Sequence, residues 1–366
     1  MKDKLKVLMT TDTVGGVWVY SLELCKALES QGVEIYLAAL GAWPSPAQEK
    51  AVESLKNVRF YRSDYKLEWM EEPWFDVEQS RKWLNSIYHT VEPDIVHLNN
   101  YAHIEESWST PVITVFHSCV QTWWQAVKGH RAPHGWDQYT RTVEESLEAS
   151  DVVVSPTRAI LTKARQTHGF TTEAKVIYNG RQIGQKRAKK EDIILCMGRI
   201  WDEAKNLSLL SRIAQKLPWP VYVAGESINP DTGVECNLEH VNFLGKLSPE
   251  QVQEWMSRAS IYVSPTRYEP FGLAILEAAA NGCALVLSDL DTLKEIWDEA
   301  ALFFGPEDEV EAEKHLIRLI QDPSLLQSYS RRALERAAYF TAEKMGEAYY
   351  NLYSEVLNKT PKTLSL

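Results

Sequence analysis

A chain of 366 residues, 45% apolar and 24% charged, is long enough for two hydrophobic cores and too balanced for a disordered or fibrous protein. Its formal charge of −11 excludes a general nucleic-acid binder, which needs a basic face. The longest apolar stretch, LAILEAAANGCALVL, is interrupted by Glu277 and Asn281 and falls short of a membrane span.

The first apolar run, LKVLM, is too brief for a signal-peptide core and reads as a buried strand. From there β-rich apolar runs alternate with helical patterns, as in stacked βαβ units with parallel sheets. In the first half the predicted strands cover 5–10, 33–40, 94–98, 112–116, 151–155 and 175–178. Several are apolar throughout, as expected when helices cover both faces of a sheet. The polar, aperiodic segment RQIGQKRAKKED, 181–192, reads as an interdomain linker. The strand pattern then restarts at 192–197, 220–224, 241–244, 260–264 and 283–287, and after Asp308 the chain reads as helices to Asn358. The last of these begins near Thr341, and the tail TPKTLSL is expected to fray. The organisation expected is α/β, with doubly wound domains over 1–185 and 186–340. A terminal helix and tail, 341–366, packs back on the first domain. Five cysteines, at 25, 119, 196, 236 and 283, lack metal-ligand spacing, which points to reduced thiols and a cytoplasmic protein.

Three segments carry chemistry. TDTVGGVWVY, 11–20, follows the first strand; Gly15 and Gly16 let a ligand approach the backbone where a helix begins, although a plain strand-to-helix turn reads equally well. MGRIWDEAKN, 197–206, places Gly198 beside Arg199, with Lys205 six residues on; an Arg fork and a Lys point charge there suit a diphosphate, although taken alone a solvated helix start is the favoured reading. SPTRYEPFGLAILEAAANG, 264–282, separates Glu269 and Glu277 by seven residues, with Pro270 breaking the chain and a helix opening at Phe271–Gly272. Backbone N–H groups of Phe271, Gly272 and Leu273 are free at that opening, and carboxylates beside them accept hydrogen bonds from neutral hydroxyls. Carboxylates for hydroxyls and cations for phosphates together fit a nucleotide sugar.

These motifs, in this order, resemble glycosyltransferase family 4, whose retaining enzymes have the GT-B fold of two Rossmann-like domains facing a central cleft. The resemblance spans nearly the whole chain. It implies that Arg199 and Lys205 bind the donor diphosphate, that Glu269 contacts the transferred sugar near the Phe271–Leu273 amides, and that Glu277 holds the ribose. Gly15 and Gly16 match the family's glycine loop, and His117, in VFHS, matches a histidine at the donor sugar. The family also implies no cofactor and no obligatory metal, with Arg199 and Lys205 in the metal's place. Uridine is favoured as the base from family frequency alone.

Two departures stand out: SDLDTLKEIW lacks the Gly-Gly often found before an acidic residue, and NGCALV has Cys283 and Ala284 where a proline is common. In the donor half the sequence predicts no Asp-x-Asp at a strand end, and the DLD of 289–291 reads as a loop with capping potential. HSCVQTWWQAVKGHRAPHGWDQY, 117–139, offers Trp123, Trp124 and Trp136, either lining an acceptor pocket or packing a loop against the first domain. His130 and His134 lack helical metal-ligand spacing and read as polar loop residues.

The function expected is transfer of a sugar from a nucleoside-diphosphate sugar to a saccharide, lipid-linked or small-molecule acceptor, in glycan or glycoconjugate synthesis. The alternatives are a nucleotide-sugar epimerase on the same plan and a non-catalytic nucleotide-sugar-binding protein. Residues 1–185 carry 19 basic against 23 acidic side chains, so that half offers anionic lipid no bulk attraction and nothing insists on a membrane.

Overall fold

The computed structural model describes residues 4–182, 188–229 and 233–359. Residues 183–187, inside the expected linker, and the expected frayed tail, 360–366, lie outside the described residues. The chain divides into two compact units. The first comprises Met1–Trp124, His130–Gly180 and Ala342–Leu366; the second comprises Gln125–Gly129 and Arg181–Thr341.

The first unit opens with β1 (Lys6–Asp12), α1 (Gly16–Glu29), β2 (Glu34–Leu40), α2 (Pro46–Glu53), β3 (Val58–Arg62) and α3 (Trp74–Val91). It continues through β4 (Ile95–Leu98), β5 (Val112–Val115), α4 (Val120–Lys128, whose last residues from Gln125 count with the second unit), α5 (Asp137–Ala149), β6 (Val152–Ser155), α6 (Arg158–His168) and β7 (Ala174–Val176). The second region holds β8 (Glu191–Met197), α7 (Leu207–Ala214), β9 (Val221–Ala224), β10 (Asn242–Phe243), α8 (Pro249–Arg258) and β11 (Ala259–Ser264). After these come α9 (Leu273–Ala280), β12 (Ala284–Ser288), α10 (Asp291–Trp297), β13 (Ala301–Phe304), α11 (Glu309–Gln321) and α12 (Pro323–Ala337). Finally α13 (Ala342–Lys359) belongs to the first unit.

The sheets run β3-β2-β1-β4-β5-β6-β7 and β10-β9-β8-β11-β12-β13, and every pairing is parallel. β4, β5, β6 and β11 are buried along their whole length, which explains why their sequences are apolar runs without alternation. Strand order reverses beside β1 in the first sheet and beside β8 in the second. A doubly wound sheet therefore has its ligand crevices outside the carboxyl ends of β1 and β4, and of β8 and β11.

Two strands were not foreseen, β3 and β13, and each lies at a sheet edge. β8 also starts inside the expected linker. Lys190, just before it, buries its ammonium against the carbonyls of Ala259 (2.7 Å) and Met256 (3.2 Å), and burial lowers its pKa. Within the first unit α13 packs on α1: Tyr349 meets Tyr20 ring to ring at 6.2 Å, and Tyr353 Oη lies 2.7 Å from Nδ1 of buried His97. No helix among the described residues is long and apolar enough to cross a membrane, and none of the five cysteines is in a disulfide.

Candidate functional site

In the second unit the residues singled out by sequence gather at the carboxyl ends of β8 and β11. After β8 the chain turns through Gly198 and Arg199. A Cβ on Gly198 would lie 3.1 Å from Lys205 Cγ, so the absent side chain lets the lysine stem cross the turn. Asp202, only 6% exposed, organises this turn: one carboxylate oxygen accepts from Ala204 N (3.0 Å) and the other takes Arg199 Nη2 (2.7 Å). The Arg199 guanidinium also stands 4.8 Å over the Trp201 ring. Asn206 adopts a left-handed φ of 49°, a conformation its short polar side chain tolerates, and the chain enters α7 directly after it.

The loop after β11 is tied to that turn. Ala204 O accepts from Thr266 Oγ1 (2.6 Å) and from Arg267 N (2.7 Å), and Thr292 Oγ1 donates to Glu269 O (2.6 Å). The result is a direct contact between two predicted site residues: Lys205 Nζ lies 2.8 Å from Glu269 Oε2. Both side chains are mostly enclosed, so the pair is screened less than a surface pair. Gly272 stands before α9 at φ 90°, a left-handed backbone that favours glycine, and a Cβ there would lie 2.8 Å from Ile275 Cδ1, the movable end of a side chain. The first N–H groups of α9 have no carbonyl inside the helix to bond. Phe271 is buried, its ring edge-on to Phe340 at 5.8 Å, so only its backbone can serve a ligand.

Glu277 sits on α9 with Oε1 2.6 Å from Arg181 Nη2. Arg181 was absorbed into the expected linker, where it had no periodic neighbour to mark it. Asp202 was also missed, although an aspartate three residues after an arginine at a helix start is a readable signal. The DLD segment corrects an expectation. It directly follows β12, Asp289 pairs with Lys294 (2.6 Å), and the cap of α10 is Leu290 without a side-chain hydrogen bond. No group of three or more His, Cys, Asp or Glu among the described residues is placed to hold a metal.

In the first unit the glycine turn leads from β1 into α1. Asp12 Oδ1 accepts from Val14 N (2.9 Å), and Gly15 caps α1 at φ 106°. Gly16 is the first helical residue, and a Cβ on it would meet nothing within 4 Å. His117, after β5, lies with Nε2 2.8 Å from Asn99 Oδ1 and its ring 4.6 Å from that of Tyr20 on α1. Asn99 donates in turn from Nδ2 to Thr10 O (2.7 Å). Burial, and secondarily His97, push the His117 imidazole down to about 3, so it is neutral near pH 7.

The tryptophan segment is not a loop throughout but holds α4 and the start of α5. Gln121 Nε2 donates to Thr140 Oγ1 (2.8 Å) and its Oε1 accepts from Ala132 N (3.1 Å), stapling the connection. Trp123 and Trp124 meet edge to face at 6.0 Å, and Trp136 stands edge-on to Tyr139 at 5.7 Å. All three remain half-buried, with surface left for a ligand. His130 and His134 are exposed, His134 Nδ1 lying 3.1 Å from Asp137.

The family model described as Glycosyltransferase Family 4 matches residues 14–183, and that described as Glycosyl transferases group 1 matches 191–322. Phosphatidyl-myo-inositol mannosyltransferase of Propionibacterium freudenreichii is 27% identical over 179 residues, 48% of this chain and 46% of that protein, less than half its length. Among solved structures, sucrose-phosphate synthase from Thermosynechococcus elongatus matches with a TM-score of 0.82 at 18% identity, over 97% of this chain and all of that one. Anabaena HepE in complex with UDP-glucose matches with a TM-score of 0.73 at 16% identity, over 96% of this chain and 100% of that one. At such identities the likeness is one of fold, the two Rossmann-like sheets of GT-B glycosyltransferases. The glycine turn lies inside one matched region and the Arg199–Lys205 and Glu269–Glu277 elements inside the other. On these grounds the chain belongs to the family 4 glycosyltransferases.

Proposed function

We propose that this chain transfers a glycosyl group from a nucleoside-diphosphate sugar, UDP-linked by preference, to an acceptor hydroxyl with retention of anomeric configuration. The observation that carries this is the meeting of Lys205 and Glu269 at the crevice of the second sheet, with Arg199 on the same turn. A cation and a carboxylate side by side suit a ligand that is anionic at one atom group and hydroxylated at the next. Arg199 and Lys205 stabilise the charge that grows on the departing diphosphate, and Glu269 with the α9 amides receives the sugar hydroxyls. Glu277 holds the ribose. His117 has the role that the family resemblance gives it toward the donor sugar: it is neutral, and with its Nε2–H given to Asn99 Oδ1 it has Nδ1 left to accept from a hydroxyl. HepE was solved with UDP-glucose, which supports uridine here. The acceptor is a saccharide, a lipid-linked glycan or a small metabolite, with Trp123, Trp124 and Trp136 as candidate sugar-stacking rings.

The two fixed cations also make a divalent ion dispensable as Lewis acid. The test is transfer from UDP-α-glucose to a panel of saccharides, read by proton NMR of the first-formed product. An α-linked product, formed equally well in EDTA, is expected. A β-linkage, or activity lost in EDTA and restored by manganese, overturns the mechanism.

Gly16 gives a second check. Its Cβ would enter open space and its φ is not left-handed, so the fold itself does not require glycine there. Gly16→Ala should leave the melting temperature unchanged or slightly raised, since alanine favours a helix by roughly 1 kcal/mol. Turnover should nevertheless fall on the order of tenfold or more, because a ligand packed against the turn is displaced. Full activity in this variant would remove the turn from the site.

A further inference from the structure

We propose that Arg181 is a positioning residue of the nucleotide site, acting through Glu277; this rests on the donor reading above. Arg181 is fixed at both ends. Its backbone N donates to Phe340 O (3.2 Å) and it forms a parallel bridge with Thr341, so its Cα cannot drift from the connection between α12 and α13. Phe340 in turn packs edge-on against Phe271, the residue just ahead of the opening of α9. The guanidinium then reaches back to Glu277 on that same helix at 2.6 Å, with side-chain exposures of 25% and 18%.

Two consequences follow from elementary chemistry. A glutamate has three rotatable side-chain bonds, and a guanidinium held from another segment selects one orientation of its carboxylate before any ligand arrives. A carboxylate has several lone-pair sites, so it accepts from hydroxyls while the arginine holds it. Charge matters as well. A nucleoside diphosphate is a polyanion, and an uncompensated carboxylate within its site would repel it. The second unit meets this in the same way three times: Asp202 faces Arg199, Glu269 faces Lys205 and Glu277 faces Arg181. Arg181 lets a carboxylate bind hydroxyls in a site that must also admit phosphate.

The experiment is calorimetry of UDP, GDP and ADP binding to the full chain, wild type against Arg181→Gln, Arg181→Lys, Glu277→Gln and the double variant Arg181→Gln/Glu277→Gln. For the nucleotide the wild type binds best, Arg181→Gln should weaken binding on the order of tenfold or more, and Arg181→Lys should recover part of the loss. The double variant should bind no more weakly than Glu277→Gln alone, because the arginine acts through the glutamate. A structural role alone would lower the melting temperature and leave the dissociation constant in place. An Arg181→Gln constant within about twofold of wild type, or losses that simply add, overturns the inference while the donor site stands. A wild-type chain that binds none of the three nucleotides removes the proposed function and this inference together.

Discussion

Lys205→Ala should reduce turnover by on the order of 10²- to 10³-fold, and Arg199→Ala by at least about 10²-fold, with smaller changes in donor KM. Charge develops on the diphosphate as the glycosidic bond breaks, so a fixed cation stabilises the transition state more than the bound substrate. Lys205 is expected to matter more because its removal has two effects. The diphosphate loses a cation, and Glu269 is left mostly enclosed without its 2.8 Å partner, so its charge then opposes the anion. Arg199 has a more exposed side chain and keeps Asp202 and Trp201 as neighbours, so water and rearrangement can offset part of its loss. Steady-state kinetics on UDP-sugar turnover decides the matter. Activity within threefold of wild type in both variants, on the order of 0.6 kcal/mol, would be too small for a role in charge stabilisation.

The second large effect concerns acid. Burial drives the imidazoles of His97 and His103 down to about 3 and that of His168 to about 4, from an ordinary 6.5. All three belong to the first unit and are buried. A histidine with a depressed folded pKa binds its proton preferentially in the unfolded chain. Its contribution is therefore complete above about pH 6.5 and is lost as pH falls toward the folded value. With His117, four such groups give a slope of about 5 kcal/mol per pH unit between pH 6 and 4, comparable within two units to the entire stability of a typical domain. Glu68, whose carboxyl burial raises, acts in the opposite sense, but one group does not offset four. The urea midpoint of the first unit should fall steeply from pH 7 to 4.5, and His103→Gln should flatten that fall by about a quarter. A midpoint unchanged between pH 7 and 5 would contradict the buried neutral state.

The sequence announced the parallel sheets where strands are buried on both faces, because such strands carry uninterrupted apolar runs. It concealed β3 and β13 for the converse reason. The β3 sequence, VRFYR, puts Arg59 and Arg62 on an open edge, with Arg59 reaching Glu34 on β2 at 2.9 Å, and half-buried residues between them mask the strand. β13 has only four residues and comes straight after a turn of helix. The candidate site shows the same division. Glu269, Glu277, Arg199 and Lys205 were legible because each sits at a fixed offset from a glycine or proline that marks a strand-to-helix turn. Arg181 was not, since its role depends on Phe340 and Glu277, 159 and 96 positions further along the chain. The placement of DLD directly behind β12 was also missed, because the end of a short strand shifts by a residue or two with its neighbours' pairing.

The return of α13 to the first unit sets the order in which the protein can be completed during synthesis. His97, on a central strand, waits for the hydroxyl of Tyr353, which the ribosome adds 256 residues later. α1 likewise stays uncovered on one flank until α13 exists. The second unit, apart from Gln125–Gly129, is one continuous stretch that ends before α13 begins. Although its sequence emerges later, it has all its elements in hand before the first unit gains α13. The half of the chain made earliest is thus the last to close its core, and until then it exposes apolar surface that a chaperone could hold.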